Sequence, residues 1–149
     1  MVLVMKEKEL QRKYIQAQLI KQQINAMIEQ KNAVDEKTQE LAVSMHAVEK
    51  LDEMKKGEEI WSTIGSGAFV RSDIKDIDNV LVSIGAGVIA KKPRSRATEI
   101  LKERLEELKR INLQIMEEVT GYAQQVEQLE SEIESLAEEI QKQEKKKRK

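Results

Sequence analysis

Apolar residues return every seven positions through the last third of the chain. With Leu105, Asn112, Val119, Val126, Ile133 and Ile140 as a positions, the d positions are Leu101, Leu108, Ile115, Tyr122, Leu129 and Leu136. Eleven of these twelve are apolar or aromatic, with β-branched residues favoured at a and leucine at d, as two-stranded coiled coils prefer. Asn112 is the exception, a polar seam residue of the kind that fixes register at some cost in stability. The first third repeats the pattern less cleanly. Its a positions are Ala17, Ile24, Lys31, Thr38 and Met45, and its d positions are Ile20, Met27, Val34, Leu41 and Val48. A seven-residue repeat sustained over this length predicts helices that supercoil left-handedly around a partner. At about 1.5 Å per residue each would run about 75–80 Å, too long to stand without one.

Between the flanks the period changes. Ile60–Ile64, Ala68–Val70, Val80–Ile84 and Val88–Ala90 are β-branched or aromatic runs of strand length. Gly65-Ser66-Gly67 separates the first two and Gly85-Ala86-Gly87 the last two, and glycines permit the positive φ angles of tight hairpin turns. The phrase at 64–70 returns at 84–90, and Lys75–Asn79 is a polar connection. Two successive β-hairpins are predicted. They have too little core to stand alone and carry unpaired edges, so association with copies or relatives follows. The expected divisions are a helix over 1–57, the hairpins over 58–92 and a second helix with a basic tail over 93–149. Gly57 is expected to end the first helix, and Ser95 to cap the second after Pro93. Either the flanks fold back on each other as an antiparallel pair, or each pairs in parallel with another copy. An insert able to reverse the chain favours the first.

Composition narrows the chemistry. The 149 residues include a single His, no Cys and only 3% aromatic residues. A His/Cys metal site, a cysteine nucleophile and a disulfide scaffold are thereby set aside. Gly65-Ser66-Gly67 lacks the third glycine and the following helix of a dinucleotide loop. Asp73, Asp76 and Asp78 lack the glycine and terminal Glu of a calcium loop. Ser66, Ser72 and Ser83 have no base beside them, and His46, one place after an a position, is expected to be solvated. No catalytic residue, cofactor or metal is expected, and the chain is not read as an enzyme. A formal net charge of −1 gives no reason to expect nucleic acid or membrane as partner. No apolar run approaches a membrane span, and no secretory leader is recognisable, so a cytoplasmic protein is expected.

Charge is nevertheless uneven. Between Glu117 and Glu139 there are eight Glu and no Lys or Arg. That stretch is expected to pair with lysines of the first helix. The chain closes on Lys145, Lys146, Lys147, Arg148 and Lys149. In the antiparallel arrangement Val2, Leu3, Val4, Met5, Leu10 and Tyr14 meet Leu136 and Ile140 at one end of the coil. There Lys6 and Lys13 fall at d, a seam expected to pair poorly. Exposed apolar side chains, Met among them, suit the binding of unfolded chains without sequence readout.

A helix, two hairpins with Gly-x-Gly turns and a second helix of similar length resemble the prefoldin family, its α-type subunit in particular. The resemblance is carried by Ile64-Gly65-Ser66-Gly67-Ala68-Phe69-Val70, by Val80-Leu81-Val82-Ser83-Ile84-Gly85-Ala86-Gly87 and by Lys91-Lys92. Ser62-Thr63 replaces the Val-Pro common in the family. The resemblance implies an α+β fold whose hairpins join a β-barrel on oligomerisation, with two α-type and four β-type subunits. It implies an ATP-independent chaperone that captures non-native polypeptides at the coil tips and passes them to a group II chaperonin. On this reading Ile60, Trp61, Ile64, Phe69, Val70, Val80, Val82, Ile84 and Val88 form the oligomer interface. The basic tail is then a candidate for chaperonin docking. The competing expectation is a structural coiled-coil scaffold or filament-forming relative.

Overall fold

The computed structural model describes residues 1–148. Helix α1 covers Val2–Lys50 and helix α2 covers Arg94–Lys147. Between them lie strands β1 (Glu59–Gly65), β2 (Ala68–Asp73), β3 (Asn79–Gly85) and β4 (Val88–Pro93). β1 pairs antiparallel with β2, and β3 with β4, as two separate two-stranded sheets. The architecture is the expected α+β one, and the helices pair antiparallel within one chain. The barrel is not a property of the single chain. Among the described residues no helix is long and apolar enough to cross a membrane.

The chain divides into two compact units. One contains Met1–Val34 and α2 from Ile111 onward; the other is Asp35–Arg110. In the first, the heptad assignment holds residue by residue. Ala17, Met27, Ile115, Val126 and Ile140 are buried, and Ile20, Ile24, Val119, Tyr122, Leu129, Ile133 and Leu136 are half-buried. The seam does not stop where the clean pattern stops. Leu3, Lys6, Leu10 and Lys13 continue it, all half-buried. The two lysines reach across to α2: Lys6 Nζ lies 3.2 Å from Glu139 and Lys13 Nζ 2.5 Å from Glu132. Lys21 adds a third bridge to Glu130 at 2.8 Å. The acidic run of α2 therefore pairs with α1 lysines as its charge pattern requires, and the end expected to be poorly paired is closed by ions.

In the second unit one hairpin sits on the helices. Val82, Ala97 and Leu101 are buried together, with Leu41, Met45, Val48, Val80 and Ile100 packed around them. Ala97 is fully covered; its small side chain lets the sheet approach the helix backbone. The Arg104 guanidinium donates to the carbonyl of Ser83, and Arg94 bridges Asp52 at 2.7 Å.

Two boundaries differ from expectation. Helix α1 ends at Lys50 and closes with a 3-10 turn over Leu51–Glu53, Met54 then being extended. Gly57 does adopt positive φ, 91°, but as the third residue of a turn in which the Glu58 N–H donates to the Lys55 carbonyl at 3.1 Å. This turn feeds β1, and Gly57 N–H donates to Ile74 at 2.6 Å, so strand pairing rather than a helix cap uses the glycine. Helix α2 begins at Arg94, which places Ser95 inside its first turn. Pro93 remains in the ladder opposite Asn79, and the Arg94 N–H continues the pairing to Asp78 at 2.9 Å. A proline at the end of a strand is tolerated because its missing N–H removes no interior ladder bond.

Candidate functional site: two exposed apolar surfaces

Hairpin geometry explains the first surface. Both turns are two-residue turns of the type I′ kind, with positive φ at both central positions. Ser66 and Gly67 have φ of 49° and 78°, and Ala86 and Gly87 have 51° and 76°. The preceding glycines sit at 100° and 110°, and the register slips between Thr63 and Gly65 and between Ser83 and Gly85. Each hairpin thus carries a bulge at Ile64 or Ile84, which increases twist and re-aims the side chain. In the first, the Gly65 N–H donates to Thr63 Oγ1 at 3.1 Å. The twenty-residue repeat in sequence is a repeat in backbone conformation.

Alternation then sorts the faces. On the first hairpin Trp61 stands opposite Arg71 and Thr63 opposite Phe69. Trp61 is 65% exposed and Phe69 58%, and the Arg71 guanidinium lies 5.3 Å from the Trp61 ring. Ile64 and Val70 are also exposed, and Ile60 is half-buried. On the second hairpin Val82 is buried in the chain's own core and Val80 is packed against it. The opposite face carries Leu81 and Ile89, each well exposed, and Ile84 and Val88 are exposed at the turn. Leu81 and Ile89 were not among the residues picked out from sequence. Val80-Leu81-Val82 is apolar throughout, so its pattern does not say which side packs inward. The polar connection is a built turn: Asp76 accepts from the N–H groups of Asp78 at 2.9 Å and Asn79 at 3.1 Å. These donors, the Asp78 N–H foremost, hold its carboxyl below the usual range.

The second surface belongs to the two-helix unit. Val2, Val4, Met5 and Tyr14 are exposed, Leu3, Leu10 and Leu136 half-buried, and Ile140 buried. Two groups emerge: Leu3, Leu10, Leu136 and Ile140 close the seam, whereas Val2, Val4, Met5 and Tyr14 lie outside it. Ile15 and Leu19, exposed to 51% and 60%, join the outer group and were missed. The signal was present: both are apolar at positions the heptad leaves to solvent. From Glu117 onward α2 exposes no large apolar residue among the described residues, Leu113 and Met116 being the exposed ones on that helix. Lys145–Lys147 end α2, where cations complement the helix dipole; Arg148 follows and is exposed, and Lys149 lies outside the described residues.

Comparison with known proteins gives this arrangement a context. The prefoldin subunit family model matches residues 20–139. The prefoldin subunit alpha of Methanosarcina barkeri is 34% identical over 121 residues, covering 81% of both proteins. That of Methanococcus vannielii is 27% identical over 140 residues, 94% of each. Among solved structures, the filamentous PFD of Methanocaldococcus jannaschii, determined by cryo-EM, matches with a TM-score of 0.70 at 20% identity. It covers 78% of this chain and 96% of that one, a likeness of fold.

Proposed function

Since the chain belongs to the prefoldin family as an α-type subunit, with that family's chaperone function, we propose how its two surfaces divide the work. The hairpin region, 58–92, is the oligomerisation platform, on which Trp61, Ile64, Phe69, Val70, Ile84 and Val88 meet β-type subunits, two α-type chains joining four. Leu81 and Ile89 extend that surface. The two-helix unit holds non-native polypeptides without ATP, in the cytoplasm, and passes them to a group II chaperonin, with Lys145–Lys149 as the docking element.

The observation that carries the holding role is the exposure of Val2, Val4 and Met5, at 61%, 53% and 68%, on helix α1. Isolated apolar residues on a surface are ordinary; a run of them on one end of a rod marks a binding site. Unfolded chains offer apolar segments without fixed shape, and Met and Val at a helix surface meet them without demanding a particular sequence. The test uses the chain assembled with a β-type subunit. Replacing Val2, Val4 and Met5 by Ser is expected to reduce suppression of aggregation of a heat-unfolded model protein several-fold while native mass spectrometry reports the same hexamer. Undiminished suppression removes these residues from the site. Deletion of 145–149 is expected to flatten the salt dependence of chaperonin binding; an unchanged slope removes the docking role.

A further inference from the structure

The exposed apolar residues of α1 are not confined to its first turn. Met1, Met5, Ile15 and Leu19 are 97%, 68%, 51% and 60% exposed. Their spacing, completed by Lys8 and Arg12, is the seam's own spacing displaced. The seam runs 3, 6, 10, 13, 17 and the outer row runs 5, 8, 12, 15, 19. Two residues are about 200° of helix, so this row lies on the far side of α1 from α2. From Met1 to Leu19 it extends about 27 Å at about 1.5 Å per residue.

Its chemistry is specific. Two apolar side chains, two cations and two apolar side chains follow one another. Lys8 and Arg12 are exposed, and neither has an ion-pair partner among the described residues, unlike Lys6, Lys13 and Lys21, which bridge to α2. On their own helix Glu9, three residues before Arg12, turns to Lys13 instead, at 3.9 Å, and the larger group of carboxylates is on α2. There Glu127, Glu134 and Glu138 are exposed on a surface with no large apolar residue. The two-helix unit therefore has one face that is apolar and basic and another that is acidic and polar.

We infer that the outer row of α1 is a client track that selects extended segments of non-native polypeptide in which apolar residues flank acidic ones. This rests on the holding role proposed above and adds the face and the sequence class. Each unpaired cation meets a carboxylate while the pairs at either end cover apolar side chains, and the aliphatic stems of Lys8 and Arg12 extend the apolar surface between them. Four apolar residues over five turns are too few for stable burial in a lipid interface, which requires a continuous apolar face. A polypeptide is thus the occupant the row fits.

The experiment measures binding of two fluorescent unstructured peptides to the full chain in its complex. The peptides share their apolar residues and differ in carrying Asp or Lys between them. The unaltered protein is expected to bind the Asp peptide about tenfold more tightly at low salt. Lys8→Glu with Arg12→Glu reverses that preference. Ile15→Gln with Leu19→Gln weakens both peptides and leaves the preference in place. All four side chains point to solvent, so helicity by circular dichroism is expected to be unchanged. Equal binding of the two peptides, or tighter binding to anionic phosphatidylserine vesicles than to either peptide, overturns the inference. If the unaltered complex suppresses aggregation but the outer-row variants bind both peptides as it does, the track is wrong and the holding role stands. If it neither suppresses aggregation nor binds peptide, both fall.

Discussion

Lys13 and Glu132 meet across the seam of the two-helix unit with Nζ and Oε2 2.5 Å apart, a charged pair at a position where the heptad calls for leucine. The hydrogen bond from Lys13 holds the Glu132 carboxyl below its usual range, with a second from Gln128. The same bond raises the Lys13 ammonium above its usual range against the opposing effect of desolvation. Seven residues away Lys6 and Glu139 repeat the arrangement. Ion pairs set among the apolar contacts of Leu3, Leu10, Leu136 and Ile140 tie part of the strength of this end of the coil to pH and salt.

A carboxyl depressed in the folded state contributes stability that is present above its unfolded pKa and lost as pH falls through its folded one. The raised lysine contributes stability that is present below the ordinary lysine pKa and lost at more alkaline pH as its folded value is passed. Between those limits the pair is intact. Acidification below the ordinary carboxylate range is expected to loosen residues 1–14, read as faster amide hydrogen exchange there. Glu132→Gln is expected to remove most of that acid dependence around Lys13 and to lower protection at neutral pH. An exchange profile in the variant that still follows pH as in the unaltered chain would contradict the assignment.

Replacing Lys13 by Leu and Glu132 by Met together is expected to raise the thermal midpoint of the coil. Exchanging both members of a seam charge pair for packed apolar side chains is commonly neutral or stabilising, whereas removing one alone leaves the other charge without its partner. A lower midpoint would show that the bridge is worth more than the apolar contact.

Gly121 lies within α2, and a Cβ built there meets nothing within 4 Å. Gly121→Ala is expected to stabilise the helix by about 1 kcal/mol, raising the thermal midpoint by about 2–4 °C. Chaperone activity that falls as stability rises would indicate that bending at this position is used.

Ala86 occupies the left-handed region with φ of 51°, a conformation that costs an ordinary L-residue about 1–2 kcal/mol. Ala86→Asn gives the Asn-Gly pair that type I′ turns prefer and is expected to stabilise the second hairpin by about 0.5–1 kcal/mol. Gly87→Val places a β-branched residue at φ of 76° and is expected to cost more than that. Chemical denaturation of the assembled protein compares the three.

Trp61 is the chain's one tryptophan, and it is largely exposed in the single chain. On assembly with a β-type subunit its emission is expected to shift to the blue as the ring leaves water. Arg71→Ala removes the cation over the ring, a contact worth about 0.5–1 kcal/mol at an exposed site, and is expected to weaken assembly modestly. Emission that does not move on assembly would take Trp61 out of the interface.

Much of this architecture was legible because two periods announce it. Seven-residue repeats fix α2 and most of α1, and glycine pairs with strand-length apolar runs fix the hairpins. What escaped did so for local reasons. Gly57 carries a helix-ending signal, but the Ile74 carbonyl recruits its N–H into strand pairing. Ser95 looks like a cap, but the ladder that runs through Pro93 to Arg94 lets the helix start at once. At the candidate site, Leu3, Leu10, Leu136 and Ile140 are at least half-buried while Val2, Val4, Met5 and Tyr14 are exposed. That split is hidden in the sequence because lysines at d suggest a frayed seam, whereas Glu139 and Glu132 on the other helix pair with them. Ile15 and Leu19 were readable as apolar residues off the repeat. The inward turn of Val82 was not, since three successive apolar residues leave strand orientation to be decided by the fit against Ala97.

The two small sheets carry one more consequence. With two strands apiece, every strand in this chain is an edge, and each presents a row of backbone donors and acceptors beside aromatic and aliphatic side chains. Such a polypeptide is itself a hazard until its neighbours arrive. The chain produced in excess of its oligomeric partners is expected to aggregate through these open strands.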